Sequence, residues 1–109
     1  MKKSEINFTV QLDENRIPEK IFWDATENPN EGINETMAIN LNIWDQYHKG
    51  LLGINLWTKE MPVDEMKIFF HQTLVAMSDT FKRATDDEKM AATMKDFCDY
   101  FAEKLELVK

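Results

Sequence analysis

The hydrophobic period of the sequence changes from two to 3.6 in the short stretch between Trp57 and Pro62, and that change limits the fold more than any other feature. Ahead of it, Ile6, Phe8, Val10 and Leu12 alternate with Asn7, Thr9 and Gln11. Ile21, Trp23 and Ala25 alternate with Lys20, Phe22 and Asp24. Met37, Ile39, Leu41 and Ile43 share one face, with Asn40, Asn42 and Trp44 opposite. Leu52, Ile54 and Leu56 share another, with Gly53, Asn55 and Trp57 opposite. These runs predict four half-buried strands, at about 5–12, 19–26, 36–45 and 50–58. Asp13 to Arg16 reads as a turn, because Asp and Asn accept unusual backbone angles. Glu27 to Glu35, with Pro29, Gly32 and three asparagines, reads as a loop. Asp45 to Gly50 reads as a hairpin connection in which Gly50 is free to take a positive φ.

Beyond the switch, Val63, Met66, Phe70, Leu74, Met77 and Phe81 recur at spacings of three and four. Pro62 suits a first helical position, and Asp64 and Glu65 suit the positive end of the helix dipole. Thr85-Asp86-Asp87-Glu88 has the form of a capping box opening a second helix. That helix carries the stripe Met90, Met94, Phe97, Cys98, Phe101 and Leu105, with Lys95, Asp96, Asp99, Glu103 and Glu106 opposite. The predicted helices cover about 62–84 and 86–106. Short links between strands favour antiparallel pairing. A one-sided sheet must cover its apolar face. The expectation is a single α+β domain over residues 1–109: a four-stranded antiparallel sheet followed by two C-terminal helices packed on one face.

Composition narrows the functional classes. With 43% apolar and 11% aromatic residues in 109, the chain can close a core. The formal charge is −7 and no basic run exceeds Lys2-Lys3, so nucleic acid and anionic membrane are disfavoured as partners. One cysteine, Cys98, allows no intrachain disulfide. The start of the chain lacks a continuous apolar h-region, and no stretch approaches the ~20 apolar residues of a membrane span. A cytoplasmic location is the expectation.

Motifs of catalysis are absent: no GxSxG, Walker A, HExxH or CxxC sequence occurs. His48 falls in the hairpin turn, where a solvated role suits it. His71 lies on the first helix with no His or Cys at i±3 or i±4 to form a helical metal pair. Cys98 sits in an apolar stripe and reads as a small buried hydrophobe before a reactive thiol. Asp86-Asp87 is accounted for by helix-start electrostatics, and Asp96/Asp99 by a solvated face. The reading is of a non-enzyme with no catalytic residue, metal or cofactor.

Binding is the alternative to catalysis. If Ile6, Ile21, Ile39 and Ile54 face the helices, then Phe22, Trp44 and Trp57 face away, among Asn42, Asn55 and Asn40. Aromatic rings bordered by polar groups mark contact surfaces, unless the sheet curls or a loop folds over them. Phe22, Trp44, Trp57, Asn42 and Asn55 are therefore the candidate binding residues. Ile68, His71 and Val75 give the first helix a second apolar side. That side would meet the second helix or a neighbouring subunit, so these three are candidate interface residues and a homo-oligomer is compatible with the pattern.

Two blocks carry a family resemblance. One runs Leu56-Trp57-Thr58-Lys59-Glu60-Met61-Pro62-Val63-Asp64-Glu65-Met66-Lys67, continued by Phe69-Phe70-His71-Gln72-Thr73-Leu74. The other runs from Asp87-Glu88-Lys89-Met90 through Met94-Lys95-Asp96-Phe97-Cys98-Asp99-Tyr100-Phe101-Ala102-Glu103-Lys104-Leu105. With Lys3-Ser4-Glu5-Ile6-Asn7 and Pro18-Glu19-Lys20, they make the chain resemble the GldC gliding-motility protein family of Bacteroidetes. The resemblance implies a small soluble accessory protein of gliding motility, acting through protein partners that include motility components, without catalysis or membrane insertion. The strand and helix order is also similar to the protomer of the SecB export chaperone, by fold-level analogy only. That analogy implies, as the alternative, a chaperone-like client binder.

Overall fold

The computed structural model describes residues 2–28 and 32–107. The chain divides into two compact units, residues 1–61 and 62–109. The first holds the strands β1 (Ile6–Leu12), β2 (Pro18–Ala25), β3 (Asn34–Thr36), β4 (Ala38–Asp45) and β5 (Gly50–Trp57); the second holds the helices α1 (Val63–Thr85) and α2 (Glu88–Lys104). The α+β class and the strands-then-helices order are as predicted.

The expected single four-stranded sheet is replaced by two antiparallel sheets, β1-β2-β3 and β4-β5. The reason lies at Met37. The predicted third strand is broken by a bend there. Asn34–Thr36, expected partly as loop, pairs with Trp23–Ile21, while Ala38 onward pairs with β5. Residues 29–31 of the predicted loop lie outside the described residues. The break is closed by Thr58 N–H, which donates to the Met37 carbonyl at 2.8 Å, and by Lys59 N–H, which donates to the Pro18 carbonyl at 3.1 Å. The base of β5 is thereby tied to both the bend and β2. The β4–β5 ribbon, called the arm below, starts beside the three-stranded sheet, where Ala38, Ile39 and Asn40 line a depression with Phe8 and Trp23, and is exposed at its far end at Ile43, Trp44, Leu51 and Leu52.

Register follows the period-two pattern. Phe8 stands opposite Trp23 and Val10 opposite Ile21, so Ile6, Phe8, Val10, Ile21, Trp23 and Ala25 share a face. Ile21 is fully buried on it. In the arm, Ile39, Leu41 and Ile43 stand opposite Leu56, Ile54 and Leu52.

The turns use local carboxylates. Asp13 Oδ1 accepts from Asn15 N–H and Ile17 N–H at 2.8 and 3.0 Å, and Arg16 takes a φ of 63°. Asp45 Oδ1 accepts from Tyr47 N–H at 3.0 Å. The left-handed position of that turn is held by Lys49, with φ 53°, and not by Gly50 as expected.

In the second unit, Pro62 is the N-cap of α1, one position earlier than predicted. Thr85 stays helical, Asp86 caps α1 in the left-handed conformation, and Asp87 caps α2 by accepting from Met90 N–H at 3.0 Å. The capping box is thus replaced by a two-residue turn with a single Asp cap. The helices meet along Ser78, Ala91, Cys98 and Ala102, all buried. These small side chains permit a close approach. His71 stacks on Phe101 with ring centroids 6.2 Å apart. The helical step of 100° per residue then places Asp79, Lys82, Glu88 and Lys95 on one side of the pair. There Lys95 meets Asp79 at 3.1 Å and Lys82 meets Glu88 at 3.9 Å. Phe70, Met77, Met90 and Phe97 fall on the other side and are exposed.

Candidate functional site

The arm is where the open apolar surface of the first unit concentrates. Directly opposite residues of an antiparallel pair share a face. One face of the arm therefore carries the aliphatic set of Ile39, Leu41, Ile43, Leu52, Ile54 and Leu56, and the other carries Ala38↔Trp57, Asn40↔Asn55, Asn42↔Gly53 and Trp44↔Leu51. Trp44 and Leu51 are each 66% exposed and Trp57 is 55% exposed. Six residue steps along β4, from Ala38 to Trp44, separate the Trp57 pair from the Trp44 pair, about 20 Å at ~3.3 Å per residue.

Between the two tryptophans the surface is polar and low. A Cβ added at Gly53 would lie 3.4 Å from Asn42 Oδ1 and 3.4 Å from Asn55 Nδ2. The two amides therefore flank a strip with no side chain of its own. They offer donors and acceptors beside the indole faces, a combination suited to recognising a polypeptide surface.

The structure separates one predicted binding residue from this group. Phe22 belongs to the three-stranded sheet, with Thr9 and Glu35 as its cross-strand neighbours. It lines an open depression of about 650 Å³ with Asn7, Gln11 and Ile33. The placement of Phe22 beside Trp44 and Trp57 on one sheet is corrected by the break at Met37. Leu51 was missed as a member of the Trp44 face. Its parity with Gly53, Asn55 and Trp57 was the available signal.

Of the predicted interface residues, His71 and Val75 lie along the α1 side that meets α2, where His71 has Phe101 as its ring partner. Ile68 is exposed.

The titratable groups have structural surroundings. Burial pushes the Cys98 thiol above its ordinary value, so it is a poor thiolate nucleophile. His48 sits on the Asp45 carboxylate in the arm's turn. That side-chain hydrogen bond, followed by the Tyr47 N–H, holds the Asp45 carboxyl below the usual carboxylate range. Among the described residues, no three His, Cys, Asp or Glu side chains come together as a metal-binding group. No helix among them is long and apolar enough to cross a membrane.

Comparison with known proteins places the chain. No curated protein and no solved structure matches it. The family described as gliding motility-associated protein GldC-like matches over residues 18–107, from the first residue of β2 past the end of α2. With most of its length inside that match, this chain belongs to the GldC-like family of gliding motility-associated proteins.

Proposed function

We propose that this chain is a non-catalytic accessory protein of gliding motility that docks a protein partner on the Trp44–Leu51–Trp57 face of the β4–β5 arm, in the cytoplasm. The observation that carries the reading is the exposure of both indoles on one strand face, with Asn42 and Asn55 between them. Large rigid rings bordered by amide groups supply the anchors and the polar rim of a protein interface. The family supports the setting. The test is affinity capture of gliding-motility components from a native lysate by the full chain and by Trp44→Ala/Trp57→Ala, with circular dichroism as the folding control. The double variant should fold and lose those components. Equal capture by the two proteins refutes the docking face.

A second reading is client binding of a chaperone type. It is favoured by the open side of the helical pair, where Met77 and Met90 accompany Phe70 and Phe97. Methionine side chains adapt to varied apolar partners. This reading expects stoichiometric amounts of the chain to suppress aggregation of an unfolded test protein, and absence of suppression removes it.

A further inference from the structure

One face of the three-stranded sheet is polar around a single ring. Register puts Asn7, Thr9 and Gln11 of β1 on that face with Lys20, Phe22 and Asp24 of β2 and Glu35 of β3. Phe22 is at its centre. Thr9 and Glu35 are its cross-strand neighbours, and Asp24 is the next residue of β2 on the same side. Glu35 and Asp24 are diagonal neighbours, about 7–8 Å apart at the backbone. The depression of about 650 Å³ over this group has Phe22, Asp24, Glu35 and Ile33 in its lining, and no lysine or arginine.

The lining is one-sided in charge and in hydrogen bonding. Asp24 and Glu35 form no ion pair and no side-chain hydrogen bond among the described residues. Lys20 shares their face, opposite Gln11, and pairs with neither. A carboxylate only accepts hydrogen bonds, and the amide oxygens of Asn7 and Gln11 accept as well. The face of the Phe22 ring is the negative side of its quadrupole. Apolar surface is also present, from the half-buried Phe22 and from Ile33, which is 74% exposed.

A ligand that matches all of this has a positive charge, several donors, no acceptor and an apolar stem. Arginine is the side chain with that set: its planar guanidinium carries five N–H donors and stacks on aromatic faces, and its methylenes lie along apolar surface. Lysine supplies the charge without the plane. A coordinated metal ion suits the face less, since no three His, Cys, Asp or Glu side chains gather there or elsewhere among the described residues. One guanidinium fills only part of the depression, so the residues flanking it in a polypeptide have room. We propose that the Phe22 depression receives an arginine side chain from an exposed segment of a protein partner, with the guanidinium stacked on Phe22 and donating to Asp24 and Glu35. The site belongs to a different sheet from Trp44 and Trp57, and it does not depend on what the arm binds.

The experiment is a nuclear magnetic resonance titration of the isotope-labelled full chain with acetyl-Gly-Arg-Gly-amide. Resonances of Phe22, Asp24 and Glu35 should shift and saturate, and raised ionic strength should weaken the binding. The lysine peptide should bind more weakly. The citrulline peptide, which keeps the shape of arginine and lacks its charge, should cause no shifts there. Asp24→Asn/Glu35→Gln should lose the response. Phe22→Leu, which keeps apolar bulk and removes the ring, should lose the preference for arginine over lysine. These residues lie on an open face, and unchanged circular dichroism confirms that the variants fold. Trp44→Ala/Trp57→Ala should respond as the wild type does. Equal shifts with citrulline, a full response from Asp24→Asn/Glu35→Gln, or arginine-dependent shifts confined to the arm overturn the proposal.

Discussion

Trp44 and Leu51 stand directly opposite each other near the tip of the arm, each with two-thirds of its surface open. The same register puts Ile43 opposite Leu52 on the reverse face, also exposed. The arm is therefore apolar on both sides near its tip. A ribbon of this kind is expected in assemblies that cover it, since strands buried on both faces lose the polar alternation of a half-solvated sheet.

Tryptophan emission reads this arrangement. Trp44 and Trp57 are exposed, whereas Trp23 is half-buried, paired with Phe8 on the same sheet face. Trp44→Phe should shift the emission maximum to shorter wavelength and lower the accessibility of the remaining fluorescence to acrylamide. Trp23→Phe should do the reverse. Equal emission maxima and equal quenching of the Trp44→Phe and Trp23→Phe proteins would contradict the described exposures.

The period-two and period-3.6 patterns were enough to place four of the five strands, the helices and the faces of the arm, because burial selects side chains at the spacing of each element. They could not show the break at Met37. A strand that changes sheets keeps its alternation through the bend, and only the hydrogen bonds from Thr58 and Lys59 reveal which neighbours it has. That is why Phe22 was grouped with Trp44 and Trp57. The helix–helix seam was legible only in part: His71, on the side expected to meet the second helix or a neighbouring subunit, stacks on Phe101, whereas the buried Ser78, Ala91 and Ala102 lie outside the predicted stripes. Small residues carry little hydrophobic signal. The Asp86–Asp87 turn was half legible, since acidic residues mark both helix starts and left-handed caps.

The seam makes a prediction in which size outweighs polarity. Ser78 is 1% exposed, and its hydroxyl donates to the Val75 carbonyl of its own helix at 2.7 Å. Ser78→Ala removes a bond that joins nothing across the seam, so its cost should stay within about 1 kcal/mol. Ala91→Leu forces extra volume between the helices and should cost ~1–3 kcal/mol. Urea denaturation of the three proteins checks the order. An Ala91→Leu protein as stable as the wild type would show that the seam is not closely packed.

The last prediction concerns acid. Asp13 joins two parts of the first unit: its Oδ1 organises the β1–β2 turn, and its Oδ2 accepts from Lys59 Nζ at 3.0 Å, just beyond the end of β5. The Ile17 N–H, followed by the Lys59 ammonium, holds the Asp13 carboxyl below its ordinary value of 3.8. The same contact raises Lys59 above its ordinary value of 10.5, chiefly through the Asp13 hydrogen bond. A carboxyl depressed by folding adds stability that is present above its unfolded value and lost as pH falls through the folded one. A raised ammonium adds stability below its unfolded value that is lost as pH rises through the folded one. Between these limits both contributions are intact. Asp13→Asn keeps an oxygen for the turn but removes the charge, so it should lower the melting temperature at pH 7 and shrink the further fall between pH 4 and pH 2. Lys59→Met should remove part of the same acid dependence without disturbing the turn. If the Asp13→Asn protein lost as much stability as the wild type over that interval, the acid response would have to arise from other carboxylates.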